Sequence, residues 1–234
     1  MKRQRYDYSG LSWKTRNEPQ YAHLKLLWGW IIYFIFYFLT ENLIPYEKCH
    51  VIHCRLDDII PFNEYFAIFY CGWFLLVFGS LLYTMLYHVE GFRKLQTFLI
   101  VTQVVAMACY IIYPSRQDLR PEHFDRNNIF SFVMSFIYAF DTSTGVCPSL
   151  HAAYMLIATI YCAMRSRKNL PLICLFALIT VGIWCTAVYS CHHYIIDVLL
   201  GIATGIVGIV LFERLLMRWK PFARFVGKYT DSIS

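Results

Sequence analysis

The amino-acid sequence predicts an all-α, polytopic membrane protein built as a six-helix bundle. The chain is 58% hydrophobic and 15% charged, whereas a soluble domain carries about 25% charged residues. Several apolar runs reach the roughly 20 residues that an α-helix needs to cross a bilayer. The formal charge of +6 comes mostly from short connecting segments, which is typical of membrane topology. Because no basic stripe with interleaved aromatic residues is present, a nucleic-acid partner is not predicted.

The chain divides into a membrane domain between two basic tails. Residues 1–23 and 217–234 are the polar, basic tails, and residues 24–216 are the six-span membrane domain. The first apolar run, residues 24–44, is longer than the core of a signal peptide and lacks a small-residue cleavage site. We therefore expect it to be an uncleaved first span.

Five further apolar runs predict the remaining spans. A short basic link with Arg93 and Lys94 separates the second span from the third. The longest internal loop contains an apolar stretch, residues 129–140, that is too short to cross, so we expect it to lie in the interface or to pack over the bundle. The six spans are predicted at residues 24–44, 65–88, 95–113, 148–164, 170–189 and 192–215.

The distribution of basic residues predicts the orientation. Six spans place both termini on one side, and 16 of the 21 Lys and Arg residues then fall on that side. Cytoplasmic segments of membrane proteins carry this excess. We therefore expect a cell-membrane protein with both termini in the cytoplasm, and the loops that carry the polar motifs lie on the extracytoplasmic side.

Two arginines in the loop after the third span are candidate phosphate ligands. Arg120 precedes Pro121, and Arg116 lies four residues upstream. A guanidinium binds two phosphate oxygens at once, which suits a phosphate at a membrane surface. The alternative is that these side chains contact lipid headgroups without a catalytic role.

The segment Cys147-Pro-Ser-Leu-His151 opens the fourth predicted span. Proline favours the first position of a helix, and the free amides of a helix N-terminus attract an anion. Ser149 adds a hydroxyl to that anion site. His151, one turn into the helix, is placed to protonate a leaving group. The alternative is a polar helix cap with a histidine at the interface.

The third motif pairs His193 with Asp197. On a helix, residues four apart share one face, and a carboxylate beside an imidazole fixes its tautomer and makes the other ring nitrogen a better nucleophile. Ionisable groups at the end of a span indicate a functional site. The alternative is that His193 anchors the span at the interface. Together the three motifs predict attack by His193 on phosphorus, with His151 as the acid and then the base.

A metal site is the competing use of these side chains. His151, His192, His193 and Asp197 are potential ligands, but adjacent histidines rarely point at one ion, and the spans contain no His-x-x-x-His pair. We therefore predict neither a metal nor another cofactor. His192 is a further candidate for contact with the phosphate.

The three motifs together resemble those of the type 2 phosphatidic acid phosphatase superfamily, which shares a six-helix bundle with the vanadium haloperoxidases. The resemblance rests on Arg120-Pro121, Pro148-Ser-Leu-His151 and His193-x-x-x-Asp197. The Pro-Ser-Leu-His form, with Tyr113-Pro114 upstream and His192-His193-Tyr194 downstream, is most similar to the branch that contains the inositolphosphorylceramide synthases.

The resemblance implies a role for each matching residue. Arg120 and Ser149 match the phosphate ligands, His151 matches the leaving-group acid, His193 the nucleophile, and Asp197 the residue that orients it.

Two positions depart from the family pattern and remove positive charge from the phosphate clamp. Tyr113 stands where the family has a lysine, and Ala187 stands where it has an arginine. Arg116 is a candidate to replace one of these charges.

The predicted function is that of a metal-independent lipid phosphatase acting on a lipid phosphate or an isoprenoid pyrophosphate through a phosphohistidine. Hydrolysis is favoured because water needs no dedicated acceptor pocket. One alternative is a phosphotransferase that moves a phosphate headgroup to a lipid alcohol by the same chemistry. The other is a non-enzymatic transporter or lipid-binding bundle, although transporters tend to keep their ionisable groups near the bilayer midplane.

Overall fold

The computed structural model describes residues 5–165 and 168–219 of the chain. Most of the second basic tail and part of the basic link after the fourth predicted span lie outside the described residues. The described chain is all-helical, apart from one pair of two-residue strands. Its α-helices are α1 (Trp28–Leu43), α2 (Ala67–Tyr87), α3 (Val89–Ile112), α4 (Ile129–Phe140), α5 (Leu150–Arg165), α6 (Leu170–Tyr189) and α7 (Ile195–Leu211).

Five helical segments in the described chain are long and apolar enough to cross a membrane, which supports an integral membrane protein. The fourth predicted span does not meet this criterion, because α5 has 16 residues, fewer than the roughly 20 that a spanning helix needs. Five of the six predicted spans therefore coincide with candidate membrane-spanning helices, and the count of six stays a prediction. They are Pro19–Leu43, Glu64–Tyr87, Val89–Ile112, Leu170–Tyr189 and Ile195–Arg214.

Helix α5 is short because it lies inside the bundle and not against lipid. It packs against α2, α3, α6 and α7. Ala152, Ala153 and Met155 on α5 have no exposed surface. Helix α7 approaches α5 closely at Gly201, where an added Cβ would collide with the backbone oxygen of Ser149. Because α5 is central, its first residues lie among the ends of the neighbouring helices.

Two predicted boundaries are wrong, because residues placed in a link belong to a helix in one case and residues placed in a helix form a turn in the other. Helix α3 begins at Val89, directly after His88, so Arg93 and Lys94 lie in its first turns and not in a link. Helix α7 begins at Ile195 and not at His192. The preceding Cys191 has a φ of 50°, which no regular α-helix accommodates.

The connecting segments at one end of the bundle pack together over the helix ends. Strand β1 (His50–Val51) pairs in parallel with β2 (Ser115–Arg116) and so joins two long loops. Helix α4 packs on the first half of α2 through Met134 and Ile137. The apolar stretch predicted to lie in the interface or over the bundle is thus a helix that packs on α2.

Candidate active site

Two histidines from different segments meet at the end of the bundle where these loops lie. His151 stands in the first turn of α5, and His193 stands in the turn before α7. Nδ1 of His151 lies 3.2 Å from Nε2 of His193, within hydrogen-bond distance. The amide of His193 donates to the carbonyl of Ala187 at 2.9 Å, which fixes the turn that carries this ring. The structure therefore brings together the two imidazoles that the sequence predicts to share a site.

Asp197 lies on the other side of the His193 ring. Its Oδ2 is 3.8 Å from Nδ1 of His193, longer than a hydrogen bond of about 2.7–3.2 Å. The same oxygen accepts from the amide of Tyr194 at 3.0 Å and so caps α7. The pair meets across the turn that enters α7, and not along one helix face as the four-residue spacing suggests.

Ser149 caps α5. Its Oγ accepts from the amide of Ala152 at 3.4 Å, and its own amide donates to the carbonyl of Asp197 at 3.0 Å. Helix α5 therefore starts after Ser149, and Pro148 does not occupy the first helical position. Because the Ser149 side chain is fully buried and serves as a cap, its assignment as a phosphate ligand stays a prediction.

Arg120 holds the loop that follows α4. Its Nη1 donates to the carbonyls of Tyr138 at 3.3 Å and Asp141 at 2.6 Å, and its Nη2 donates to the carbonyl of Thr142 at 2.9 Å. Three of the five N–H groups of a guanidinium are thus used by main-chain oxygens. Nε is buried and has no hydrogen-bond partner among the described residues, and Arg120 is not among the residues that line the cavity beside the histidines. Its role as a phosphate ligand stays a prediction.

The structure does not bring Arg116 to the two histidines. Its Nη1 donates to the carbonyl of Tyr46 at 2.9 Å, and its Nε lies 3.3 Å from Asp118. The guanidinium also stacks over the ring of Tyr46, 4.3 Å from its centroid. These contacts occupy Arg116 on the outer side of the loops, and its role in a phosphate clamp stays a prediction.

His192 approaches a carboxylate that none of the sequence motifs contains. Its Nδ1 lies 2.8 Å from Oγ of Ser190, and its Nε2 lies 3.7 Å from Oδ2 of Asp141. The ring is buried, and burial, aided by the positive charge of Arg120, lowers the pKa of His192 well below its ordinary value. The neutral imidazole is therefore the stable form.

A cavity of about 700 Å³ opens next to the histidines. Its walls are mainly aromatic side chains of α1, α2 and α4, and its polar groups gather at the end where the loops lie. Two carboxylates, Glu41 and Asp141, line that end together with His151, His192 and His193. Aromatic wall residues include Trp30, Phe34, Phe38, Tyr70, Trp73, Phe74, Phe78, Phe136 and Phe140.

Sequence reasoning missed three residues next to the histidines. The ring of Trp73 lies 4.5 Å from that of His151, the ring of Tyr70 lies 5.0 Å from it, and Asp141 approaches His192. Tyr70 and Trp73 stand three apart on the same face of α2, but an aromatic-rich span offers many such pairs. Asp141 directly follows the apolar stretch that forms α4, which is a weak signal by itself.

The geometry of the site bears on two alternatives from the sequence analysis, the transporter and the metal site. His151 and His193 face each other and share one cavity at the end of the helices, an arrangement that favours a catalytic site over a transport path at mid-bundle. Within residues 5–165 and 168–219, no group of three His, Cys, Asp or Glu side chains has a geometry that would hold a metal ion.

Comparison with known proteins identifies a relative of stated activity. Over 86 residues the chain is 50% identical to the phosphoinositol dihydroceramide synthase of Bacteroides thetaiotaomicron. The match covers 37% of this chain and 28% of the relative, so the chain spans well under a third of that protein. No family model matches the chain, and no solved structure matches it. The similarity supports the general family resemblance, and the branch suggested by the sequence motifs stays a prediction.

Proposed function

We propose that this protein is an integral-membrane phosphotransferase that moves a phosphate-containing headgroup from a lipid donor to the hydroxyl of a sphingoid lipid. The observation that carries the proposal is the contact of 3.2 Å between His151 and His193 at the polar end of an aromatic cavity. The relative named as a phosphoinositol dihydroceramide synthase favours transfer to a lipid alcohol. Hydrolysis, the function first expected from the sequence, becomes the side reaction.

The first half of the reaction forms a covalent intermediate on His193. Because Nδ1 of His193 faces Asp197, Nε2 carries the lone pair that attacks phosphorus once its hydrogen bond to His151 is broken. The N–P bond forms as the P–O bond to the donor's lipid alcohol breaks, and His151 protonates the departing oxygen. His151 donates from its imidazolium form, which the negative charge of the bound phosphate stabilises. The Asp197 carboxylate stabilises the positive charge that develops on the His193 ring. Arg120, through its free Nε, stabilises charge on the phosphoryl oxygens.

The second half returns the phosphoryl group to a lipid. The hydroxyl oxygen of the acceptor attacks phosphorus, the P–N bond to His193 breaks, and the hydroxyl proton passes to His151. The two half-reactions therefore use His193 and His151 in opposite directions. Donor and product differ only in the lipid alcohol attached to the phosphate, so one cavity serves both.

The walls and charges of the cavity fit such lipids. Its volume of about 700 Å³ lies within the range of about 300–1,000 Å³ for ligand sites. Burial of an acyl chain against its aromatic walls stabilises the complex by about 25 cal/mol per Å² of apolar surface removed from water. Two carboxylates at the polar end, Glu41 and Asp141, repel a multiply charged pyrophosphate more than a singly charged phosphodiester. We therefore propose a phosphodiester donor. The basic-residue asymmetry of the sequence supports an extracytoplasmic site in the cell membrane.

The test is a headgroup-transfer assay with the purified full-length protein in lipid micelles. A lipid donor labelled in its phosphoinositol headgroup is incubated with and without N-acyl sphinganine. We expect a labelled sphingolipid only when the acceptor is present, and no product from the His193→Ala variant. Release of labelled inositol phosphate at the same rate with or without acceptor would instead assign a hydrolase.

A further inference from the structure

The hydrogen bonds around His192 fix the tautomer of its ring. The hydroxyl of Ser190 donates its single hydrogen to the carbonyl of Thr186 at 2.6 Å. The contact of 2.8 Å between Ser190 Oγ and His192 Nδ1 therefore requires a hydrogen on Nδ1. In the neutral ring, Nε2 is then a bare acceptor. This nitrogen has no hydrogen-bond partner among the described residues, although its side chain is buried and lines the cavity.

A second acceptor lies beside that nitrogen. Oδ2 of Asp141 is 3.7 Å from His192 Nε2 and accepts from the hydroxyl of Tyr70 at 2.9 Å. The Asp141 side chain is 28% exposed, so its carboxylate faces the open cavity with unused lone pairs. A buried acceptor without a donor is unfavourable, and His192 Nε2 is such an acceptor beside a carboxylate that faces the cavity. The two acceptors together indicate a place for donor groups of a ligand.

A salt bridge between the two residues does not explain the arrangement. The N–O separation exceeds the length of a hydrogen bond, and a charged imidazole would have to be stabilised in a buried place next to the Arg120 guanidinium. Burial and this neighbouring charge lower the pKa of His192. The neutral tautomer with a free Nε2 is thus consistent with both the contacts and the electrostatics.

We propose that Asp141 and His192 form the acceptor subsite of the transferase, and that this subsite selects a lipid with hydrogen-bond donors beside the reacting hydroxyl. The proposal rests on the function proposed above. An N-acylated amino diol supplies such donors, namely a second hydroxyl and an amide N–H. A 1,2-diacylglycerol has a single hydroxyl and no other donor, so it leaves the carboxylate and the imidazole unpaired.

The subsite positions the acceptor without taking part in proton transfer. The reacting hydroxyl forms the O–P bond, the N–P bond to His193 breaks, and the proton goes to His151. The neighbouring hydroxyl and amide of the acceptor donate to Asp141 and to His192 Nε2. The ring of Tyr70 lies 4.7 Å from that of His192 and 5.0 Å from that of His151, so the subsite and the reacting histidines are adjacent. His192 and Asp141 are therefore positioning residues.

The first experiment varies the acceptor with the wild-type protein, so that folding is not in question. N-acyl sphinganine, its 3-deoxy analogue and a 1,2-diacylglycerol of matched chain length are compared under a fixed concentration of phosphoinositol-bearing donor. We expect kcat/KM to fall by about tenfold or more for the analogue and further for the diacylglycerol, because a site built to bind a hydroxyl rejects a ligand that lacks it. Equal kcat/KM for the three acceptors would overturn the proposal.

The second experiment removes the protein side of the same interaction. Asp141→Asn and His192→Gln should each raise the KM for N-acyl sphinganine by about tenfold, with a smaller effect on kcat, because the two residues position the acceptor and do not transfer its proton. The matched control is Asp58→Asn, an exposed carboxylate paired with His53, which should leave this KM unchanged. With the 3-deoxy acceptor, Asp141→Asn should lower kcat/KM little further, because the hydroxyl that Asp141 would bind is already absent.

The outcomes separate this proposal from the proposed function. If the wild-type protein transfers no headgroup to any acceptor, the transferase assignment fails, and the acceptor subsite fails with it. If the wild-type protein is an active transferase but Asp141→Asn and His192→Gln retain the normal acceptor KM, only the subsite proposal is overturned. If Asp141→Asn lowers kcat/KM equally with the hydroxylated and the deoxy acceptor, the subsite proposal is also overturned.

Discussion

Nδ1 of His151 and Nε2 of His193 lie 3.2 Å apart, which leaves no space for a phosphorus atom between them. A nucleophile and its target atom approach to about 3–3.5 Å before bond formation. Substrate binding must therefore break the hydrogen bond between the two rings. The backbone N–H of His193 donates a hydrogen bond to the carbonyl of Ala187, and its ring faces Asp197. We therefore expect the His151 ring, and not the His193 ring, to turn toward the leaving oxygen.

Replacing His193 and replacing His151 should affect turnover differently when the leaving group of the substrate is changed. His193→Ala should abolish both turnover and phosphohistidine trapping, whereas His151→Ala should slow turnover by about 10²–10⁴ with a lipid leaving group. A nitrophenyl ester needs no proton on departure, so the His151→Ala variant should lose much less activity with it. The comparison is made by rapid-quench assay, with the exposed His53 replaced by Ala as the control. Normal turnover in His193→Ala would refute the mechanism.

Asp197 both caps α7 and faces His193, and one substitution separates the two roles. In Asp197→Asn the amide oxygen still accepts from Tyr194, so the thermal midpoint should change little. Turnover should fall by about 10²–10⁴ because the ring loses its carboxylate partner. Asp197→Ala should show the same kinetic loss together with about 1 kcal/mol of lost stability from the missing cap. Wild-type turnover in both variants would exclude a role for this carboxylate.

Arg120 should contribute to the binding of tetrahedral oxyanions through its free Nε. Arg120→Ala should raise the inhibition constant of orthovanadate by about tenfold, because a charge-assisted hydrogen bond to the anion is lost. Arg126, which is largely exposed and pairs with Glu64, provides the matched Arg→Ala control. The same orthovanadate inhibition in the Arg120 variant and the wild-type protein would count against Arg120 as a phosphate ligand.

The close approach of α7 to α5 should make Gly201 intolerant of a side chain. A Cβ at Gly201 would collide with the backbone oxygen of Ser149 and contact Ala152 at 3.1 Å, and overpacking of this kind costs about 1–3 kcal/mol. At Gly72 on α2 an added Cβ would meet no atom within 4 Å, so Gly72→Ala is the matched control. Thermal unfolding in detergent should show a lower midpoint for Gly201→Ala only, and equal midpoints would contradict this packing.

The stability of the protein should depend on His192 below neutral pH. Burial, together with the charges of Arg120 and His193, lowers the pKa of His192 in the folded state. The unfolded chain therefore binds a proton near the ordinary His pKa of about 6.5, whereas the folded protein does not. This contribution to stability is complete above pH 6.5 and is lost as the pH falls below it. The midpoint of thermal unfolding should therefore drop between pH 7.5 and 5, and His192→Gln should reduce that drop. An identical pH dependence in the variant would show that His192 is not the group responsible.

The sequence by itself determined that the protein is helical and has the composition of a membrane protein. Five of the six predicted spans coincide with helices that are long and apolar enough to cross a membrane, because length and composition are local properties of the chain. The alternation of the spans also brings Pro148-Ser-Leu-His151 and His193 to the same end of the bundle. Their convergence was predictable for this reason, although their catalytic roles stay predictions.

The tertiary structure decided which side chains actually meet. It turns His192 toward Asp141, engages Arg116 with Asp118, and uses Ser149 as a helix cap. None of these outcomes follows from spacing, because each depends on the packing of loops that are distant in the sequence. The length of α5 was likewise set by its burial among other helices, since a helix inside a bundle does not have to match the thickness of a bilayer.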